Sequence, residues 1–116
     1  MSRTHGLPEL NYIVFSGTVT QKDSLFWSKY NMHVIRFRVE NTVSSMEPSS
    51  DRKRVYELAV EAWGGLAEDI DRTVATGSSV LVEGSLVSRA YVDRKKEEHH
   101  KMIVKASSVK ILDVRS

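Results

Sequence analysis

Apolar and polar residues alternate along much of this chain, and the period lengthens in one place. From His33 to Glu40, Ile35, Phe37 and Val39 fall on one side, and Val34, Arg36, Arg38 and Glu40 on the other. That is the two-residue period of a half-buried strand. Val55 to Trp63 alternates likewise, with Tyr56, Leu58, Val60 and Ala62 on the core side and Val55, Glu57, Ala59, Glu61 and Trp63 opposite. Tyr12 to Thr20 (YIVFSGTVT) is β-branched and aromatic, and Gly17 inside it predicts a bulge or sharp coil. After Gly64-Gly65 the spacing becomes i, i+4, i+8 at Leu66, Ile70 and Val74, which predicts a helix from Leu66 to about Thr76. Glu68, Asp69 and Asp71 suit the positive end of its dipole, and Gly77 is a natural stop. Val80 to Val92, divided at Gly84 into two strand pieces, and Met102 to Leu112 resume strand character on either side of the charged tip DRKKEEHH. Five strands with one helix between the third and fourth predict an all-β fold, a small barrel capped at one end.

The intervening segments lack periodicity. Residues 1–10, with Gly6 and Pro8, read as a flexible lead, 21–32 (QKDSLFWSKYNM) as a polar and aromatic connection, and Asn41 to Arg54 as a mobile hairpin loop. Residues 11–113 then form one domain and 114–116 a short end, which fits a length of 116 residues. No run approaches the ~20 apolar residues of a membrane helix, so no membrane partner is expected. The opening MSRTHGLPEL lacks an apolar signal core, which points to a cytoplasmic location. Cysteine is absent, which removes disulfide and thiolate chemistry.

Net charge is only +2, and its distribution says more than its size. Glu57 to Glu83 holds six acidic residues against Arg72 alone, whereas Leu86 to Lys110 holds seven basic residues against Asp93, Glu97 and Glu98. An acidic helix beside a basic hairpin gives two electrostatic faces, although a solvated, salt-bridged surface would produce the same count.

Candidate catalytic chemistry is sparse. Glu57 and Glu61 share a strand face but stand about 13 Å apart at strand rise, beyond the carboxylate spacing used in glycoside hydrolysis. His99 and His100 are adjacent, so on a strand they point to opposite faces and make a poor metal pair. No Gly-x-Ser-x-Gly elbow, P-loop or dinucleotide fingerprint is present. A non-enzymatic protein without cofactor or metal is expected.

The order of these pieces resembles the bacterial single-stranded DNA-binding protein family. The resemblance rests on Asn11–Gly17 (NYIVFSG), Phe37–Asn41 (FRVEN), Trp63–Glu68 (WGGLAE), Thr76–Leu86 (TGSSVLVEGSL), Ser88–Asp93 (SRAYVD) and Val104–Leu112 (VKASSVKIL), and covers roughly residues 11–113. It implies a five-stranded OB-fold barrel with its capping helix between strands three and four. It also implies sequence-tolerant binding and protection of single-stranded DNA in replication, recombination or repair. A homo-oligomer is expected, a tetramer first and a dimer second, with replication or repair proteins as partners near the nucleoid.

Carried over residue by residue, Trp63 and Tyr91 occupy positions of base-stacking aromatics and Arg89 that of a basic neighbour. Trp63 also reads as a strand-end anchor packed on the helix. Phe26, Trp27 and Tyr30 could stack on bases, pack under the barrel or form a subunit interface. Arg36, Arg38, Lys95, Lys96 and Lys101 are candidates for phosphate contact, which makes binding salt-sensitive, although the three lysines also read as a solvated hairpin. Glu57 stands where the family often has an aromatic, Glu61 shares its face, and Ser44-Ser45 stands near another aromatic position. The two glutamates would repel phosphate unless Arg36 and Arg38 neutralise them across the sheet, so binding weaker than a typical member's, or differently routed, is expected. The chain also ends in LDVRS without the family's acidic tail. An OB-fold assembly subunit of the primosomal type, with weak nucleic-acid binding, is the alternative reading, and an RNA-binding OB protein a third.

Overall fold

The computed structural model describes residues 9–44 and 53–112. The proposed N-terminal lead up to Pro8, Ser45 and most of the Asn41–Arg54 loop lie outside these residues. In chain order the elements are β1 (Ile13–Lys22), β2 (Phe26–Trp27), β3 (His33–Ser44), β4 (Lys53–Trp63), α1 (Gly64–Thr73), β5 (Ser79–Val92) and β6 (Glu98–Ile111). Neighbouring strands run β1-β5-β6-β4-β3, and β1 pairs again with β3, closing a five-stranded barrel. This is the OB-fold expected, with the two-residue β2 added beside β3.

Closure depends on β1 changing partners. Ile13 to Thr18 pairs with β5, and Thr18 to Lys22 pairs with β3. At that junction a Cβ on Gly17 would sit 2.1 Å from the Glu40 carbonyl oxygen, so only glycine lets β3 approach. The irregularity in β1 lies farther on, between Val19 and Gln21, not at Gly17. Gly84 plays the matching part in β5, where a Cβ would lie 2.2 Å from the Lys105 carbonyl oxygen. β5 therefore passes through Gly84 as one bulged strand and is not divided into two pieces.

Ile35, Phe37, Val39, Val60 and Ala62 are fully buried, as their alternation requires, and pack with Val19, Val80, Val82 and Val104. Helix α1 closes one end through Ala67 and Ile70, with Val74 just beyond it. It is shorter than the periodicity suggests, since Val74 is already extended and Gly77 takes φ 97° in the turn after it. It starts at Gly64, so no acidic residue lies in its first turn. Its terminal carbonyls are satisfied by Lys22, whose Nζ donates to the Asp71 and Val74 oxygens at 3.0 and 2.7 Å.

Three strands run longer than the alternation indicates. The β3–β4 ladder continues to Ser44 and Lys53, and β6 begins at Glu98. On these extensions adjacent residues such as Thr42 and Val43, or Arg54 and Val55, are both exposed, so no apolar period marks them. Tyr56 has core parity but pairs with Asn41 on the extended part of β3 and is 49% exposed. Val34 departs the other way. It has the outward parity of Arg36 but is buried, between Phe26 of β2 and Trp63 of β4 in the ladder.

Candidate nucleic-acid interface

The outer face of β3, β4, β6 and β5 carries the candidate side chains. Cross-strand register places Val34 opposite Trp63 and Arg36 opposite Glu61 on β3–β4, and Arg89 opposite Lys101 and Tyr91 opposite His99 on β5–β6. The two halves meet where β4 runs parallel to β6, pairing Val60 with Val104 and Glu61 with Lys105.

Glu61 is the centre of this face. Outward parity led to the expectation of an exposed charge. Instead its side chain is 0% exposed. One carboxylate oxygen accepts from Arg36 Nε at 3.0 Å, and the other from Arg89 Nη2 at 2.6 Å and Trp63 Nε1 at 2.8 Å. Burial alone would push this carboxyl up, but hydrogen bonds from Arg89, Trp63 and Arg36 outweigh it and hold the group below its usual range. The hydrogen bond to Glu61, with its charge, in turn raises the Arg89 guanidinium. Every buried polar side-chain atom among the described residues has a partner, so the cluster is fully satisfied.

The neutralisation expected across the sheet is therefore present. Arg36 engages Glu61 from directly opposite, and Arg38 Nη1 lies 3.1 Å from Glu57, diagonally across the ladder. The Glu57 pair is largely solvated.

Trp63 is half-buried. Its indole N–H is taken by Glu61, which fixes the ring, and Lys105 Nζ stands 5.3 Å from its centroid. Tyr30 lies beside it at 6.3 Å. Trp63 thus stands at the helix start with its ring on the outer face. Tyr91 is 48% exposed and stacks on His99 at 5.2 Å. Arg89 stands on the same face but faces Glu61 and does not form a platform with Tyr91.

Of the first connection, Phe26 lies under Arg36, whose guanidinium carbon is 5.4 Å from the ring. Trp27 is 62% exposed and packs on His33 at 3.8 Å, while His33 bonds Glu68 of the helix at 2.9 Å. These aromatics sit at one end of the face and do not pack under the barrel.

At the opposite end the β5–β6 turn is organised by Asp93. Its carboxylate accepts from the Lys95 and Glu97 N–H groups and from His99, and the His99 bond, followed by that of Glu97, holds it below its usual range. Lys96 there adopts φ 66°, and both Lys95 and Lys96 project into solvent. Lys101 is exposed on β6, nearer the barrel. His99 and His100 bond different carboxylates, Asp93 and Glu98. Arg36, Arg89, Trp63 and Lys101 are thereby gathered around β4, whereas Lys95 and Lys96 stand apart at the tip, and Phe26 and Trp27 at the other end.

Two participants escaped the sequence reading. Lys105 was one basic residue among seven, and Glu61 stood out only as a charge of the wrong sign. Both owe their places to the parallel β4–β6 contact, which joins residues far apart in the chain.

No curated protein matches the chain. Residues 10–112, the whole barrel with its helix, match the single-strand binding protein family, and the chain belongs to that family of single-stranded DNA-binding proteins.

Proposed function

We propose that the protein coats unpaired DNA with little sequence preference and protects it in replication, recombination or repair, as a non-catalytic homo-oligomer in the cytoplasm. The observation that carries this reading is the pairing of outward rings with cations along one face: Phe26 with Arg36, Trp63 with Lys105, and Tyr30 with Lys29. Rings offer every base a stacking surface, and the cations take the phosphates without reading base edges. Burial of Glu61 supports full use of this face, because its charge is satisfied inside the sheet and is not presented to phosphate. Exposed Leu10, Tyr12 and Val14 at the start of β1 and Ile111 and Leu112 at the end of β6 supply apolar surface for self-association, a tetramer being the first expectation.

The test is a titration with oligo-dT of about 35 nucleotides, enough for several OB folds at ~4–16 nucleotides each. The two tryptophans, Trp27 and Trp63, report stacking by fluorescence quenching. Quenching that weakens as salt rises is expected. Absence of both quenching and a mobility shift at micromolar protein in low salt overturns the proposal. Light scattering reads the oligomeric state.

A further inference from the structure

Tyr91 and His99 face each other across the β5–β6 ladder, one rung short of the turn. Their rings lie 5.2 Å apart and 24° from parallel, so the imidazole backs one face of the phenol while Tyr91 stays 48% exposed. That separation is within the ~4.5–7 Å of attractive aromatic pairs. The imidazole is itself anchored. Its Nε2 donates to Asp93 Oδ2 at 2.6 Å, and the other oxygen of that carboxylate takes the Lys95 and Glu97 N–H groups at 2.8 and 2.9 Å. The Asp93 backbone is also fixed, since its N–H donates to the Glu97 carbonyl and its carbonyl accepts from the Lys96 N–H, both at 3.0 Å. A continuous chain of contacts therefore runs from the closed turn through Asp93 and His99 to the Tyr91 ring.

We propose that His99 is a positioning residue for Tyr91: anchored by Asp93, it holds the phenol ring ready for stacking, and holds it more firmly when protonated. The inference rests on the single-stranded DNA reading and goes beyond it by giving the binding a pH dependence. Two effects set the sign. A charged imidazole makes a charge-assisted bond to Asp93, roughly twice as strong as a neutral one, and its stack on Tyr91 becomes a cation against a ring. The groups facing His99 allow that charge. Tyr91 lies opposite on β5, and the next rung on the same face holds Arg89 of β5 and Lys101 of β6, both cationic. Arg89 is already paired with Glu61, and Glu98 pairs with His100, so Asp93 of the turn is the carboxylate that answers His99 among the described residues. Its bonds, that of His99 first, hold the Asp93 carboxyl below its usual range, so the anchor remains an anion while His99 changes charge.

The experiment is a double-mutant cycle on the full chain, with oligo-dT affinity measured between about pH 8 and pH 5, where imidazoles change charge. His99→Gln is expected to weaken binding roughly twofold to tenfold at the acid end, the worth of one aromatic pair, and less at the alkaline end. In a Tyr91→Leu background the same substitution is expected to change nothing. A histidine that merely offers a cation to phosphate gives equal losses in both backgrounds, and that result overturns the proposal. Asp93→Asn, which keeps an acceptor for the turn, is expected to flatten the pH profile as His99→Gln does. The free, unmodified protein supplies a readout that needs no variant: the ring resonances of Tyr91 are expected to move with the same midpoint as those of His99. Tyr91 resonances that ignore the titration of His99 overturn its role while leaving DNA binding intact. An unmodified protein that binds no oligo-dT at any of these pH values overturns the DNA reading, and the role of His99 with it.

Discussion

The two ends of the outward face of β4 carry the same residue with opposite consequences. Glu57 and Glu61 lie four residues apart on one strand, and each has an arginine of β3 in reach. At the Glu57 end both partners are more than 40% exposed, and the contact resembles any surface ion pair. At the Glu61 end β6 docks alongside and β5 sends Arg89 over it, so the carboxylate is sealed with three donors. Burial comes from the third and fourth strands of the sheet, not from the residue or its nearest neighbour. One charge is surface chemistry, and the other is a structural pin beneath the outer face.

Truncating the pin tests this difference most severely. Glu61→Ala leaves the indole N–H without an acceptor and two guanidiniums without a counter-charge. Loss of one partner from a buried pair costs ~3–5 kcal/mol, and because both arginines can rehydrate the expected loss is at the lower end, read by urea denaturation. Glu57→Ala is expected to cost at most ~1 kcal/mol. Equal losses at the two positions would break the comparison.

Trp63→Ala separates stacking from anchoring. It is expected to weaken oligo-dT binding by ~1–3 kcal/mol, against little change for Tyr56→Ala on the ribbon. If Trp63 served only as an anchor, stability would fall and affinity per folded molecule would not.

Acid sharpens the contrast further. The Glu61 carboxyl lies below its ordinary value in the folded state, so between the two values the unfolded chain binds the extra proton and stability rises with pH. The contribution is complete above the ordinary glutamate range near 4.3 and is lost as pH falls through the folded value. Glu61→Gln is expected to flatten this part of the stability–pH curve, whereas Glu57→Gln leaves it in place. Smallest of all, Lys95→Gln with Lys96→Gln at the tip should lower the salt slope of DNA binding by ~0.7 for each phosphate no longer neutralised, and scarcely alter quenching.

What the chain disclosed about itself follows the same division. Wherever one side of a strand meets the core, alternation located it, so Ile35, Phe37 and Val39 were legible and the barrel with its helix followed. The ribbon ends were not, because neighbours such as Thr42 and Val43 are both exposed and satisfy no period. β2 is only two residues long and leaves no pattern. Trp63 and Tyr91 could be located from motif and parity. The role of Glu61 could not, since its partners Arg89 and Lys105 arrive through non-local pairings that outward parity does not reveal.

The missing Cβ atoms at Gly17 and Gly84 have a dynamic consequence. With strands drawn tight at both positions, the amide hydrogens around them are expected to exchange only through global opening. The ribbons beyond these glycines can fray one rung at a time. A DNA strand would then meet a stiff ring bearing Trp63 and two pliant fingers, and the ordering entropy of binding would fall on the fingers alone.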